Sequence, residues 1–330
     1  MSINVAITGV SSLLGENLLE ILESRNFPVA KLLLTDPGQV VGRSVMYAGH
    51  ANRVISVDEA DLSAVDLIFN CHSQGLPKDF SPAQLTGKLK VIDLCPNAFA
   101  DYPSIVPEVN SEQIGGSSYI ISPSPAAVVS AMALHALHQR FKLLRLNIVS
   151  MSSVAESGQK GVEALAAETA KLLNGRDPEA SYYGQQIAFN LIPFTGKVEE
   201  SGSTDKEARL VSELQFLLGD EALEIAATSV QLPLFHGQNV VLHAECQFPV
   251  DINEAQLLLR QTKGLQCAAN QYYSVVADAA GQDEVFISRV RTEAENNAGF
   301  MLFAVSDSLR KGGALNAVQI AEHLFGLLDH

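Results

Sequence analysis

Within its first 35 residues the chain passes through a short apolar segment, a glycine-bounded loop, a helix-period segment and a second apolar segment. These are Ile3-Asn-Val-Ala-Ile-Thr8, Gly9-Val-Ser-Ser-Leu-Leu-Gly15, residues 16–25 and Lys31-Leu-Leu-Leu-Thr35. Short apolar runs on either side of a helix read as buried parallel strands. A strand, a glycine loop, a helix and a strand make the βαβ arrangement that holds dinucleotides. Glycine lets the backbone approach a pyrophosphate, and the helix N-terminus favours its charge. Gly9 and Gly15 keep the outer spacing, but Ser12 puts a side chain where a phosphate approaches. Two readings therefore stand side by side. Either the loop cradles a phosphate, or Gly9 turns the chain and Gly15 packs helix on strand.

The rhythm continues. Asp66-Leu-Ile-Phe-Asn70 and Lys90-Val-Ile-Asp-Leu94 read as buried strands separated by a proline-containing helical segment, and Ser117-Ser-Tyr-Ile-Ile121 as the next strand. That strand leads through Ser122-Pro-Ser-Pro125 into a helix bearing Val128, Ala131, Met132 and Leu134. Ser124 suits an N-cap, and Pro125 suits a first turn, where a missing N–H costs nothing. Such a helix start is where α/β enzymes place an activated nucleophile, because the dipole lowers a thiol's pKa and the amides hold an oxyanion. Proline offers no heteroatom there.

Past residue 140 the pattern changes to long, partly alternating strands at 143–154, 222–234, 240–248, 284–291 and 300–306, with helices at 157–174 and 205–218. A final helix runs over 314–328. The expectation is an α/β chain with a Rossmann-type domain over 1–126, completed by the C-terminal segment 308–330. An α+β domain on an antiparallel or mixed sheet follows over 127–307.

A net charge of −15 without a basic run excludes binding to nucleic acid through phosphate neutralisation. No apolar stretch approaches the roughly 20 residues of a membrane span. The four cysteines, Cys71, Cys95, Cys246 and Cys267, lie far apart, without metal-type spacing. The chain enters its first strand without a basic leader. These features predict a cytoplasmic protein with reduced thiols and no bound metal.

Taken together, several blocks resemble the aspartate-semialdehyde dehydrogenase family, and within it the USG-1 branch. They are the Gly9–Gly15 loop, Val106-Pro-Glu-Val-Asn110, the strand-bend-helix at 120–134, Gln186-Ile-Ala-Phe-Asn-Leu-Ile-Pro193, Ser288-Arg-Val-Arg291 and Ser306-Asp-Ser-Leu-Arg-Lys-Gly-Gly-Ala-Leu-Asn316. The resemblance implies an NADP-binding N-terminal domain, a central catalytic and dimerisation domain, and a homodimer. In the family's reaction a cysteine thiolate attacks aspartyl phosphate, a histidine moves protons, and the thioester takes hydride from NADPH. The resemblance places cofactor contacts at Gly9, Ser11, Ser12, Leu13, Gly15, Thr35 and Asn316. It places substrate contacts at Arg289, Glu207 and Arg209, with Arg289 on the substrate carboxylate.

Several of the family's reactive groups are missing. Its nucleophile falls on Pro125, its histidine on Gln238 and its thioester-orienting glutamine on Val154. The segment Asn97-Ala-Phe-Ala-Asp-Tyr-Pro103, where a phosphate-binding arginine belongs, has none. His236 stands two residues from the acid/base position, on the same face if that segment is a strand. Asp36, after the second strand, reads either as a ribose-binding carboxylate that disfavours a 2′-phosphate or as part of an Asp-Pro-Gly turn. The expectation is a homologue that has lost the family reaction but keeps the fold, the dimer and a site for a small carboxylate. It binds NADP or NAD weakly or not at all. One alternative is an active NAD(P)-dependent oxidoreductase acting on an aldehyde or small acid without a thioester. Another is a non-enzymatic regulatory or partner protein.

Overall fold

The first strand, β1 (Ile3–Thr8), is buried at nearly every position, as a central parallel strand must be. In the computed structural model, which describes residues 2–38, 40–77, 80–85, 88–96, 102–179, 182–268, 271–293 and 296–327, the chain divides into two compact units. One comprises residues 1–123 and 313–330, the other residues 124–312.

In the first unit β1 is followed by α1 (Leu13–Ser24) and β2 (Val29–Asp36). Then come β3 (Ser44–Tyr47), β4 (His50–Ser56), β5 (Leu67–Asn70), β6 (Lys90–Asp93), the short α2 (Pro107–Asn110) and β7 (Tyr119–Ile121). The sheet order is β3-β4-β2-β1-β5-β6-β7. Every pairing is parallel except the β3–β4 hairpin at the edge. Between β5 and β6 the expected helical segment is only a 3-10 turn, Pro82–Gln84, among the described residues.

The second unit opens with α3 (Pro125–Phe141), buried along most of its length. It continues through β8 (Leu143–Ser152), α4 (Gln159–Leu173), α5 (Asp205–Leu218), β9 (Glu224–Gln231), β10 (Gln238–Cys246), α6 (Ile252–Gln261), β11 (Leu265–Cys267), β12 (Val285–Glu293) and β13 (Asn296–Ser306). The strands form one mixed sheet in the order β11-β12-β13-β10-β8-β9. The β8–β9 and β11–β12 pairs are parallel and the others antiparallel.

The chain then returns to the first unit as α7 (Leu315–Leu324). Leu315, Ala317, Val318, Ile320 and Ala321 join the core built by Leu18, Ile21 and Leu22 of α1 and by β1. Arg25 and Glu322 close the contact with two 2.7 Å bonds from the guanidinium to the carboxylate. The helix ends at Leu324, short of the expected 328, because Phe325 takes a non-helical conformation as its C-cap; residues 328–330 lie outside the described residues.

Candidate functional site

The glycine loop of the first unit is held to the sheet by backbone bonds. Gly9 and Val10 both donate to the Thr35 carbonyl, at 2.9 and 3.2 Å. Gly9 has φ +74, and a Cβ there would meet the His72 Cβ at 2.4 Å. A Cβ on Gly15 would meet the Gly9 carbonyl at 2.6 Å. Both positions therefore demand glycine, one for the turn and one for packing α1 on the strand ends.

Ser12 does not stand in the way of a phosphate as the sequence suggests. It is the N-cap of α1, and its hydroxyl accepts from the Gly15 amide at 3.0 Å. The same hydroxyl lies 2.8 Å from the Gly9 carbonyl and 3.0 Å from that of Cys71. Its oxygen is thus folded into the loop. Thr35 is wholly buried and serves the loop through its carbonyl. Asp36, 4% exposed, accepts from Ser11 through one oxygen, at 3.1 Å from the amide and 2.6 Å from the hydroxyl. Its other oxygen accepts from the Gly38 amide at 2.9 Å. Asp36 therefore makes the turn and also clasps the loop. The amides of Leu13 and Leu14, at the first turn of α1, remain to meet an anion.

Asn316 lies in the interior of the same unit. Its amide nitrogen donates to the Ile105 carbonyl and to the Ser122 hydroxyl, both at 3.0 Å, while its Oδ1 is buried without a partner. An orphaned buried acceptor is rare and calls for a donor. The spare amides of α1 are the part of this loop that fits a dinucleotide phosphate, whereas Asn316 is wholly buried. Residues 97–101, most of the segment in which the family's phosphate-binding arginine is missing, lie outside the described residues.

In the second unit Pro125 is the first residue of α3, as expected. Its ring is pressed by Gly312, where a Cβ would meet the Pro125 Cβ at 2.8 Å. Ser124 does not cap the helix through its side chain. Its hydroxyl instead donates to the Glu213 carboxylate, which also accepts from the Ser124 amide at 3.1 Å. Gln238, wholly buried, donates to the Ser150 hydroxyl at 3.1 Å and to the Asn239 carbonyl at 2.8 Å, and accepts from Ser152 at 3.2 Å. Val154 is an apolar core residue beside Leu165, Ile187, Ala188 and Ile192.

The proposed substrate residues fare differently. Glu207 forms a capping box with Thr204, and its second oxygen accepts from the Ser229 amide at 2.7 Å and hydroxyl at 3.1 Å. That places it in the architecture of α5 and β9. Arg209 donates to Glu213 at 2.8 Å, so it is linked through that carboxylate to Ser124. Arg289 is exposed, with φ +57, where the β12–β13 register slips between Ser288 and Arg291. Bulges of this kind re-aim a side chain. His236 lies in an exposed bend before β10, so the two-residue strand rule does not carry it to the Gln238 face. Burial pushes the Cys71 and Cys267 thiols up, and that of Cys246 up to about 12. None of these three is a thiolate nucleophile near neutral pH.

Sequence reasoning missed two further carboxylates, Glu213 and Glu156, and a signal was present only for the first. Glu213 shares the buried stripe of Leu210, Leu214 and Leu217, and a carboxylate in such a stripe is itself the clue. Glu156 lies in the turn after β8, and its Oε1 is sealed without a partner. Burial raises its carboxyl from 4.5 to about 6, against the pull of the Lys206 ammonium and the Ser152 hydroxyl. A folded-state pKa above the unfolded one means that the stability contribution is full below about pH 4.5 and is lost as pH rises through about 6. The interval is worth about 2 kcal/mol. Glu156→Gln is expected to stabilise the protein by roughly that amount at pH 8 and to leave it unchanged at pH 4. Urea unfolding at the two pH values checks this, and an equal change at both would assign the effect to packing instead.

Comparison with known proteins places this geometry. The model for the semialdehyde dehydrogenase NAD binding domain matches residues 4–117, and that for the semialdehyde dehydrogenase dimerisation domain matches residues 134–311. Aspartate-semialdehyde dehydrogenase 2 of Vibrio cholerae is 35% identical, with 97% of each chain covered. A USG-1 protein homolog of Pseudomonas aeruginosa is 34% identical, over 98% of this chain and 97% of its own. The crystal structure of aspartate semialdehyde dehydrogenase II from Vibrio cholerae, complexed with ASA, superposes with a TM-score of 0.94 at 34% identity, covering 99% of both chains. Two domain models in sequence, and relatives that align from end to end, establish that the chain belongs to the aspartate-semialdehyde dehydrogenase family, in its USG-1-like branch.

Proposed function

We propose that this chain keeps the fold, dinucleotide platform and dimer of its family but does not carry out the family's thioester reaction. The observation that carries this reading is the start of α3 in the second unit, where the nucleophile position is Pro125. A covalent intermediate needs an atom that attacks the carbonyl, and a pyrrolidine ring offers none. Gln238 supports the same reading. Its amide is engaged on both sides inside the protein, and an amide cannot shuttle a proton near neutral pH.

The dinucleotide binds weakly. Ser11, whose amide and hydroxyl would meet a phosphate, is already engaged by Asp36, so the loop brings fewer donors. Each phosphate hydrogen bond that goes unmade costs on the order of 1–3 kcal/mol, which moves a micromolar site towards the millimolar range. Arg289 holds the carboxylate of a small acid. Its left-handed backbone in a strand bulge costs on the order of 1–2 kcal/mol, and strain of that size persists where it aims a functional side chain.

The dimer reading rests on the dimerisation domain and on apolar side chains exposed within it: Phe189 at 68%, Leu191 at 50% and Val198 at 51%. Glu168 pins the segment that presents Phe189, accepting from the Ile187 and Ala188 amides at 2.7 and 3.1 Å. A rigid apolar face of this kind needs cover.

Two measurements test this. Oxidation of aspartate semialdehyde with phosphate and either NAD or NADP, followed as formation of the reduced nucleotide, is expected to be undetectable in the wild type. It should stay very low in Pro125→Cys and Gln238→His singly, because losing one role costs at least about 10²-fold and losing the nucleophile more. The double variant should be the fastest of the four. Robust wild-type turnover that survives alkylation of the cysteines would overturn the reading in favour of direct hydride transfer. Sedimentation at micromolar concentration should give about twice 35.4 kDa, and a clean monomer would remove the dimer from the proposal.

A further inference from the structure

Resting on the reading that the first unit keeps a dinucleotide site, we infer that Asp36 selects an unphosphorylated adenosine ribose. NAD(H) rather than NADP(H) is then the nicotinamide nucleotide of this chain. The inference starts from placement. Asp36 is the last residue of β2, the strand beside β1, and it follows Thr35, whose carbonyl anchors the glycine loop. In a βαβ nucleotide site the end of the second strand is where the adenosine ribose lies.

The carboxylate is fixed there from two directions. Ser11 of the loop holds one oxygen through its amide at 3.1 Å and its hydroxyl at 2.6 Å. Gly38 holds the other through its amide at 2.9 Å. At 4% exposure, Asp36 cannot swing into solvent to make room for a second anion. An ionised carboxylate has about four acceptor sites, and three are used by these donors. One remains for a ribose hydroxyl, which is the complement a free 2′-OH offers. A 2′-phosphate brings nearly two negative charges and no donor when ionised.

Cations that could reverse this preference are not built into the turn. The chain leaves β2 through Pro37 and Gly38, and the first lysine or arginine after the strand is Arg43. Asp36 forms no ion pair among the described residues. The clasp on Ser11 adds a second effect. The loop and the ribose site share one carboxylate, so a group that displaces Asp36 also disturbs the loop meant to hold the pyrophosphate. Like charges forced together in this way discriminate between ligands even where neither binds tightly.

The test is titration of the full-length protein with NADH and with NADPH, read by nicotinamide fluorescence and repeated by calorimetry. The chain has no tryptophan, so the fluorescence signal is free of indole background. NADH is expected to bind at least about tenfold more tightly than NADPH. Asp36→Asn keeps the shape and a carbonyl acceptor but removes the charge, and should narrow the difference to within about threefold. Asp36→Ser removes the carboxylate and adds a hydroxyl donor, and should bind NADPH at least as well as NADH. Circular dichroism confirms that both variants are folded, and the isosteric Asn variant carries the test if Ser disturbs the turn. NADPH binding as tight as NADH in the wild type would overturn the inference. So would an unchanged preference in both variants, or no binding of either nucleotide at millimolar concentration. These outcomes are distinct from the turnover assay, whose result bears on Pro125 and Gln238 and not on Asp36.

Discussion

A buried chain of hydrogen bonds ties the carboxyl ends of β1, β5 and β6 to Tyr119 at the start of the neighbouring parallel strand β7, and the glycine loop is built on it. The Thr8 hydroxyl of β1 donates to Asn70 of β5 at 2.8 Å, and Asn70 donates to Asp93 of β6 at 2.8 Å. Asp93 also accepts from the Cys95 amide at 2.8 Å and from the Tyr119 hydroxyl of β7. Asp93 is 2% exposed, and a buried carboxylate without donors costs several kcal/mol. Here three donors converge on it. Burial, and then the Asp93 charge, hold the Tyr119 phenol well above its usual range, so it stays a donor. A one-residue slip of any of these strands would turn its polar residue to the opposite face. The network therefore fixes the register from β1 to β7, and with it the height at which Thr8 delivers Gly9. Gly75 seals the network from the side, since a Cβ there would meet Asn70 Oδ1 at 2.3 Å and Thr8 Oγ1 at 2.7 Å.

The second unit satisfies its buried polar groups in the same way. Ser150 and Ser152 of β8 satisfy Gln238, Glu213 gathers Ser124 and Arg209, and Val154 fills a core. A reactive group needs an unsatisfied bond, a displaced pKa or a free lone pair at the surface of the site. Pro125, Gln238 and Val154 show none of these: each is held by packing or by hydrogen bonds. Glu156 is the contrast, a sealed carboxyl with one orphaned oxygen and a pKa near 6, adjoining this satisfied network through Ser152.

Much of the fold was legible because local chemistry and tertiary structure agreed. The β1–loop–α1–β2 unit, the proline start of α3 and the helix at 205–218 each carry their boundary signals within a few residues. The β3–β4 hairpin was hidden by its turn. Ala48 and Gly49 both take positive φ between the paired Tyr47 and His50, and alanine is not a residue that advertises such a turn. α6 is as hard to see, although Asp251 caps it and Ala255 and Leu259 mark its buried face. At the site, residue types were readable but directions were not. Whether Ser12 pointed at a phosphate or into its own loop, and whether Glu207 met a ligand or the Ser229 backbone, depended on partners 3 to 59 residues away. His236 is set apart from Gln238 for a related reason. Gly237, at φ +102 and pressed against Val275, breaks the strand that the two-residue rule assumed.

Backbone strain separates three residues of the second unit from two others. Pro125, Gln238 and Val154 sit comfortably, with no left-handed backbone and no orphaned atom. Arg289 and Phe189 do not. Each holds a left-handed φ, at +57 and +58, and each presents its side chain outward. Phe189 adds the exposure of a large ring to the backbone cost. For residues other than glycine such conformations cost on the order of 1–2 kcal/mol, a sizeable part of a total stability of about 5–15 kcal/mol. Neither side chain returns that energy within its own unit, since Arg289 makes no ion pair among the described residues and Phe189 is two-thirds exposed. Under the proposed function these are the two places that meet something outside the chain: an anion on Arg289 and a second subunit over Phe189 would return that energy.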